Sequence, residues 1–333
     1  MERRYASTLH PGERVDAAFA LMSKEIRAAR TGEAYLSLEL ADRSGRIPGI
    51  MFRPTREAEA VPAGLVVHVR GVVTAYRGVV RVSVESLHAA GEYDPRDIVP
   101  TGVRDTSELL TELRDLVRAV TDASLGALLR EIFGDAVLMT RFKESPASSG
   151  GHHAYLGGLL EHTVGVASVC RQIATLHPQI DADLLLTGAL LHDVGVVDAV
   201  AYATGIDHTD EGRLLGHVVL GERRVHGAIG RLGGGVPADK ALHLAHMVLT
   251  HHGQAAAPFT GSPATLESLA LHHADTLDSE TAGFIDVATR ASMVGETWTD
   301  GANAFGRRLR TPGVGSAFVP PASSGEPRLA RSA

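Results

Sequence analysis

Histidine is concentrated in the second half of this 333-residue chain, where it could bind a metal ion. Of the 17 histidines, 14 lie between His152 and His273. Imidazole is the commonest metal ligand among side chains, and it titrates close to neutral pH. The search for catalytic or metal-binding residues therefore starts in this part of the sequence.

Five predicted helices carry the residues that could form such a site. Apolar residues recur with helical spacing over about residues 156–176, 182–193, 210–232, 238–251 and 264–293. Each stretch has histidine or aspartate on its apolar stripe or near an end, namely His162, His192, Asp193, His217, His251, His252 and Asp275. Imidazoles and carboxylates that converge from separate helices form metal sites in the core of helical bundles. Because burying so many ionisable groups is costly without compensation, the set predicts a metal centre.

Each of these residues alone also has a purely structural explanation. A single histidine on an apolar helix stripe is usually a hydrogen-bonded core residue. The His251-His252 pair could cap the C-terminus of its helix, where a positive charge is favourable. The His192-Asp193 pair could do the same, and Gly195 follows it as a predicted C-terminal cap. The occurrence of all of them on five separate helices favours the metal centre.

The first 98 residues are predicted to form a small β-barrel. Alternating apolar and polar residues over 35–40, and β-branched runs over 65–73 and 79–85, predict short strands, with Gly71 at a bulge. Four or five short strands with tight turns in under a hundred residues favour an OB-fold. Such barrels usually hold single-stranded nucleic acid in a cationic groove with stacking side chains.

The residues from 43 to 81 carry seven arginines and two glutamates, although the formal net charge of the chain is −7. Guanidinium groups suit phosphate contacts and stacking on bases, so within the predicted OB-fold this segment is a candidate surface for single-stranded nucleic acid as the partner. The candidate contacts are Tyr35, Arg46, Phe52, Arg70, Tyr76, Arg77 and Arg81. A solvated strand surface for the arginines and core positions for the aromatic residues are the alternatives.

Composition limits the class of protein and the compartment. Hydrophobic residues make up 44% and charged residues 21%, as in soluble globular domains. No stretch approaches the roughly 20 apolar residues that cross a bilayer, and no apolar signal-peptide core follows the start. The single cysteine, Cys170, cannot form an internal disulfide, which agrees with a reducing compartment. We predict a cytoplasmic protein without a membrane segment; the sequence does not define an oligomeric state.

The predicted architecture combines β and α domains in one chain. An OB-fold domain is expected over residues 1–98 and an all-α helical bundle over residues 106–310. A linker over residues 99–105 joins them, and the Gly-, Pro- and Ser-rich residues 311–333 are expected to be a disordered tail.

The order of the motifs resembles that of the HD-domain metal-dependent phosphohydrolases. His162, then His192-Asp193, then Asp275 are similar to their H…HD…D signature, and the surrounding words HHAYLGGLLEH and GALLHD strengthen the likeness. With an OB-like N-terminal domain, the chain resembles the YhaM-type 3′–5′ exoribonuclease family over about residues 10–310.

This resemblance implies two divalent metal ions, with Mn²⁺ favoured and Fe or Zn²⁺ as alternatives, since mixed imidazole and carboxylate ligands suit these ions and not Ca²⁺. The implied ligands are His162, His192 and Asp275 for one ion, His217, His251 and His252 for the other, and Asp193 bridging both.

The same resemblance implies the reaction and the catalytic residues. His192 and Asp193 are expected to be the catalytic pair. Asp278, one helical turn after Asp275, is a candidate to orient a ligand histidine, with a plain surface carboxylate as the alternative. The implied reaction releases nucleoside monophosphates from the 3′ end of single-stranded RNA, or of single-stranded DNA.

The chain departs from the family pattern at two places. Relatives commonly carry a lysine after HD-x-G, where this chain has Val196, and Pro146-Ala-Ser-Ser149 also lacks a lysine. Such a lysine would contact the substrate phosphate or donate a proton. Its absence keeps a catalytically weakened nucleic-acid-binding protein as an alternative. A phosphohydrolase for free nucleotides or cyclic dinucleotides is the other alternative, although it would not need an OB-fold.

Overall fold

The computed structural model describes residues 3–28, 33–253, 261–293 and 295–312, and its chain divides into two compact units. The first unit comprises Met1–Thr101 with Tyr202–Ile206, and the second comprises Gly102–Ala201 with Asp207–Ala333. The domain limits given by the sequence stay predictions, and the assignment of 202–206 to the first unit was not among them. The predicted tail lies outside the described residues from residue 313 onward. Among the described helices, none has the length and apolar composition that crossing a membrane requires.

The first unit is built on five strands. They are β1 (Arg14–Ala28), β2 (Ala34–Asp42), β3 (Gly45–Phe52), β4 (Val66–Tyr76) and β5 (Val79–Ala89). The strands close into a barrel in the order β1-β2-β3-β5-β4, in which only the β3–β5 pair is parallel. Short helices α1 (Arg56–Ala60) and α2 (Pro95–Ile98) accompany it. This closed five-stranded barrel confirms the predicted OB-fold and adds β1, for which the sequence pattern gave no bounds.

The alternation of the strand sequences explains the core of the barrel. In β2, Leu36, Leu38 and Leu40 are buried and alternate with half-buried residues, as a period of two requires. The predicted bulge at Gly71 is confirmed by a shift in the β4–β5 register between Arg70 and Gly71. A Cβ atom on Gly71 would lie 2.3 Å from the carbonyl oxygen of Ser83, so only glycine fits this close approach.

The second unit is a helical bundle. Its helices are α3 (Thr106–Ala119), α4 (Ala123–Phe133), α5 (Ala136–Glu144), α6 (Gly158–Leu176), α7 (Ala182–Leu191), α8 (Val196–Ala199), α9 (Asp210–Arg231), α10 (Ala238–Thr250) and α11 (Leu266–Met293). A hairpin whose two strands have two residues each, β6 (Val200–Ala201) and β7 (Asp207–His208), separates α8 from α9. The bundle confirms the predicted helical domain, whereas α8 and the hairpin were not predicted.

Helix α7 lies at the centre of this bundle. Every residue from Leu184 to Leu191 is buried, because α6, α10 and α11 all pack against α7. A helix that is apolar on all sides must be a core helix, and the sequence of α7 fits that position. Gly188 permits the close approach of α10, since a Cβ atom there would lie 2.1 Å from Cε of Met247. The C-terminus of α7 thereby delivers His192 and Asp193 to the interior.

Candidate metal centre

The turn after α7 carries the His192-Asp193 pair and packs against α9. The C-cap of α7 is His192, and Gly195 has φ −76° outside the left-handed region, so the predicted C-terminal cap at Gly195 is wrong. Its lack of a side chain serves packing instead, because a Cβ atom would lie 2.1 Å from the carbonyl oxygen of His217 and 2.3 Å from the amide nitrogen of Gly221. This contact brings α9 against the turn that carries Asp193.

A kink in α9 sets the direction of His217. Gly216 has φ 74° and ψ 154° in the middle of the helix, a conformation that glycine adopts without steric cost. His217 follows directly, and its Nε2 atom lies 3.3 Å from Oδ1 of Asp193.

Two of the buried histidines have Nδ1 fixed by the backbone. Nδ1 of His192 donates to the carbonyl of Ala189 at 2.8 Å, and Nδ1 of His251 donates to the carbonyl of Val248 at 2.7 Å. Each acceptor lies three residues earlier, at the end of the same helix. With Nδ1 carrying the hydrogen, Nε2 of a neutral ring has a free lone pair, which is the form that binds a metal.

Two other histidines have Nδ1 fixed by carboxylates of α11. Nδ1 of His162 lies 2.8 Å from Oδ2 of Asp278, and Nδ1 of His252 lies 3.1 Å from Oδ2 of Asp275. Asp278 thus lies where the sequence placed it as a candidate orienting partner of a ligand histidine.

The first group of atoms faces one oxygen of Asp193. Oδ2 of Asp193 lies 3.6 Å from Nε2 of His162 and 3.7 Å from Nε2 of His192. Oδ1 of Asp275 completes the group at 3.2 Å from Nε2 of His162 and 4.0 Å from Nε2 of His192.

The second group faces the other oxygen. Oδ1 of Asp193 lies 3.3 Å from Nε2 of His217 and 3.4 Å from Nε2 of His251. His252 joins them, with its Nε2 atom 2.9 Å from that of His217. The structure therefore brings all seven predicted metal ligands together, with Asp193 between two groups of three.

The atoms of this cluster fit a bound cation better than they fit one another. Oδ1 of Asp193 and Nε2 of His251 are buried and have no hydrogen-bond partner, which is costly for polar atoms. Nε2 of His162 and Nε2 of His192 lie 3.1 Å apart, although hydrogen bonds already engage Nδ1 in both rings. Unpaired oxygen and facing nitrogen atoms are the donor set that a divalent transition metal requires.

Burial and charge shift the pKa values of the cluster. Burial lowers the pKa of His192 and of His217 to about 4, which keeps both rings neutral and able to bind a metal. Burial alone would raise the pKa of Asp193, but the neighbouring His192, His217 and His251 hold it well below its usual range.

His162 behaves differently because two carboxylates surround it. Burial opposes its charged form, yet hydrogen bonds to Asp275 and Asp278 outweigh burial and raise the pKa of His162 to about 10. Protonation of this ring therefore competes with metal binding at its Nε2 atom. Metal affinity should consequently fall as the pH is lowered.

Sequence reasoning missed a hydrogen-bond chain behind His162. Nε2 of His153 lies 2.9 Å from Oδ2 of Asp278, and Nδ1 of His153 lies 2.7 Å from the hydroxyl of Tyr155. That hydroxyl donates to Oε2 of Glu161 at 2.9 Å. Burial and the Glu161 carboxylate raise the pKa of Tyr155, so the hydroxyl keeps its proton. The histidine pair and the tyrosine were visible in the word HHAYLGG, but their partner Asp278 was not.

The positions without lysine have different surroundings. Val196 is buried, with 2% of its surface exposed, so a charge there would lie in the core. Ser149 is exposed, and its Oγ atom lies 2.9 Å from Nε2 of His208. Arg141 and Arg224, the two arginines that contact Asp198, pair with it at 3.0 and 2.6 Å.

The predicted nucleic-acid contacts lie on the barrel in separate places. Tyr35 and Phe52 face each other across β2 and β3 with ring centroids 5.7 Å apart, and Phe52 is exposed. At the β4–β5 turn, the guanidinium groups of Arg81 and Arg77 lie 4.6 and 5.4 Å from the ring centroid of Tyr76.

The arginines of the barrel are less free than the local count implied. Arg46 pairs with Glu39 at 3.2 Å, and Arg70 pairs with Asp16 at 3.2 Å. Both carboxylates come from strands outside residues 43–81, so a count within that segment overstates its positive charge. In the described part of the chain, no carboxylate pairs with Arg81, which leaves it available to phosphate.

Two segments of the chain match known domain families. Residues 159–280 match the HD domain, and residues 21–89 match the OB-fold nucleic acid binding domain. The class defined by fold and site is therefore an HD-domain protein with an N-terminal OB-fold, and HD domains bind divalent metal ions.

Relatives that match most of this chain place it more narrowly. It is 30% identical to the 3′-5′ exoribonuclease YhaM of Bacillus velezensis over 274 residues, covering 81% of this chain and 86% of that enzyme. Proteins of the same name from Geobacillus sp. and Halalkalibacterium halodurans are 28% and 27% identical, covering 86% and 81% of this chain and 88% and 84% of theirs. The chain belongs to the YhaM family of 3′–5′ exoribonucleases.

Proposed function

We propose that this protein is a metal-dependent 3′–5′ exoribonuclease that degrades single-stranded RNA to nucleoside monophosphates. The observation that carries the proposal is the position of Asp193, whose two oxygens face two different groups of histidines. The names of the relatives favour RNA over single-stranded DNA as the substrate. Cytoplasmic localisation stays a prediction of the sequence.

The residues fit two divalent ions, with Mn²⁺ favoured and Fe or Zn²⁺ as alternatives. His162, His192 and Asp275 would hold one ion, His217, His251 and His252 the other, and Asp193 would bind both. Two divalent ions at such a site supply an activated water and stabilise the charge on the attacked phosphate and the leaving oxygen.

The protein itself prepares the site by orientation and by exclusion of water. Buried His192 and His251 cannot rotate without losing the hydrogen bonds to their own helix. The Asp278 carboxylate holds the Nδ1 proton of His162 and thereby turns Nε2 toward Asp193. This preorganisation means that the ligand atoms need not rearrange when metal and phosphate bind.

The barrel would hold the strand to be degraded. Exposed Phe52 beside Tyr35, and Tyr76 beneath Arg81, offer the stacking surfaces and positive charge that single strands require. Because each phosphate contact releases counterions, RNA affinity should fall steeply as salt is added.

The test uses one RNA sequence labelled at either end, together with the matched DNA. In Mn²⁺, 5′-labelled RNA should give a ladder that shortens with time, and 3′-labelled RNA should release labelled mononucleotide at once. A chelator should stop both reactions. Hydrolysis of free nucleotides or cyclic dinucleotides alone, or RNA binding without cleavage, would each overturn the proposal in favour of one of the alternatives.

A further inference from the structure

His152 lies at the edge of the metal centre without a partner of its own. Its ring centroid is 5.3 Å from that of His162, and its surface is partly exposed, whereas His162 is fully buried. In the described part of the chain, no hydrogen bond to the His152 ring is found, whereas both ring nitrogens of the adjacent His153 have partners.

The loop from residue 145 to residue 157 fixes the backbone around His152. The amide of Ala147 donates to the carbonyl of His153 at 3.1 Å, and the hydroxyl of Ser148 donates to the carbonyl of His152 at 2.6 Å. His153 itself has φ 46°, a left-handed conformation that a residue with a side chain adopts only where its surroundings impose it. The loop therefore fixes the backbone that carries the His152 side chain.

The position of His152 does not make it a metal ligand. The groups of described residues whose donor atoms lie within 4.8 Å of one another include His153 and His162 but not His152. A partly exposed polar ring next to the ligands is instead placed to meet whatever the metal ions bind from solvent.

A phosphate bound at this centre needs a hydrogen-bond donor beside the ligands. Val196, where the family resemblance implies a lysine, is buried and cannot donate, and Arg141 and Arg224 pair with Asp198. An imidazole has at least one N–H group in either protonation state, so it can donate to a phosphate oxygen without a change of charge.

We propose that His152 is a catalytic residue whose ring N–H binds a non-bridging oxygen of the scissile phosphate. This inference rests on the proposed function, because the phosphate is that of the RNA substrate.

The test compares His152→Ala and His152→Gln with His226→Ala, a control on α9 whose side chain is 82% exposed. We expect His152→Ala to lower kcat/KM for RNA by about 10- to 100-fold, equivalent to about 1.4 to 2.7 kcal/mol. His152→Gln, which keeps an N–H donor, should lose less, and His226→Ala should match the wild type. Metal content and melting temperature should be unchanged in all three.

A second measurement identifies the contact itself. Sulfur in place of one non-bridging oxygen of the terminal linkage weakens a hydrogen bond to that atom. One phosphorothioate diastereomer should therefore slow the wild type more than it slows His152→Ala. Equal slowing of both proteins by both diastereomers would overturn the assignment, as would loss of metal from His152→Ala in proportion to its loss of activity.

Binding of a nucleoside monophosphate separates this inference from the proposed function. Calorimetry with the Mn²⁺-loaded protein should show about tenfold weaker binding to His152→Ala than to the wild type. If the wild type fails to degrade RNA, the proposed function is wrong, and the nucleotide measurement still decides whether His152 contacts phosphate. Equal affinities would refute that contact.

Discussion

The barrel and the helical bundle treat their charged side chains in opposite ways. On the barrel, Arg46 and Glu39 form an exposed pair, with side chains 62% and 41% accessible. In the bundle, His162 and Asp275 lie 3.2 Å apart with almost no exposure. Exposed ion pairs contribute little to stability and exchange readily, whereas buried groups depend on each partner that remains. An arginine on the barrel can therefore exchange its carboxylate partner for a phosphate of the proposed RNA substrate. The buried side chains of the bundle instead keep one fixed geometry.

The largest effect is expected for a substitution in the buried cluster of the helical bundle. Asp193→Asn keeps the shape of the side chain and removes the charge between the two histidine groups. We expect metal content to fall to less than half and RNA cleavage to fall by more than about 100-fold, since even outer partners of metal ligands contribute 10- to 100-fold. Elemental analysis and the labelled-RNA assay measure both. Asp286→Asn, at an exposed pair with Arg290, is the control, and full metal occupancy in Asp193→Asn would contradict the prediction.

A charge added to the bundle should be tolerated poorly. Val196→Lys introduces the lysine that the family resemblance implies, but at a position with 2% exposure. We expect the free energy of unfolding to fall by about 2 to 4 kcal/mol, because an unpaired ammonium would be buried. Val196→Met, of similar length without charge, separates crowding from charge in a denaturant titration. A stable Val196→Lys protein that cleaves faster than the wild type would show that the lysine can reach the site.

The hydrogen-bond chain behind His162 should show how far the fixed geometry extends. Tyr155→Phe removes the hydroxyl that lies between His153 and Glu161. We expect about tenfold weaker Mn²⁺ binding, with kcat near the wild-type value at saturating metal, because His162 is less well oriented. Titration with Mn²⁺ measures the affinity. Tyr93→Phe, in the first unit, is the control. An unchanged Mn²⁺ affinity in Tyr155→Phe would contradict the prediction and show that Asp278 orients His162 without help from Tyr155.

The smallest effect is expected for substitutions of the exposed arginines on the barrel. Arg81 stacks on Tyr76 without a carboxylate partner in the described part of the chain, whereas Arg46 is paired with Glu39. Arg81→Ala should weaken RNA binding by about three- to tenfold and reduce the salt dependence by about one counterion. Arg46→Ala should weaken it by less than about twofold, since Glu39 already neutralises that charge. Equal effects in a filter-binding assay would mean that pairing on this surface does not matter.

Local pattern predicted what depends on local sequence. The alternation in β2 predicted a β domain, and the helical spacing of α6 and α7 predicted a helical domain. The glycine at position 71 within a strand sequence predicted the bulge. The histidines and aspartates on five predicted helices gave the seven candidate ligands, the family resemblance divided them between two ions, and the structure brings them together. Their assignment as ligands stays a prediction until a metal is measured.

Long-range contacts could not be predicted in the same way. His153 and Asp278 are 125 residues apart in sequence, and nothing near either residue indicates the other. Arg70 is neutralised by Asp16 of a neighbouring strand, which a count along the chain cannot include. Gly195 was assigned a cap because glycine often ends helices, but it serves the contact with α9. Each of these depends on which elements pack side by side.

The distribution of the ligands along the chain also sets when the site can form during synthesis. His162 lies on α6 and Asp275 on α11, so most of the bundle must leave the ribosome between the first ligand and the last. At about 5 to 20 residues per second, the more than one hundred intervening residues take roughly 5 to 20 seconds. A nascent chain that ends before α11 lacks Asp275 and Asp278 together. The centre that we propose degrades RNA is therefore incomplete while the messenger that encodes it is still being read through the bundle.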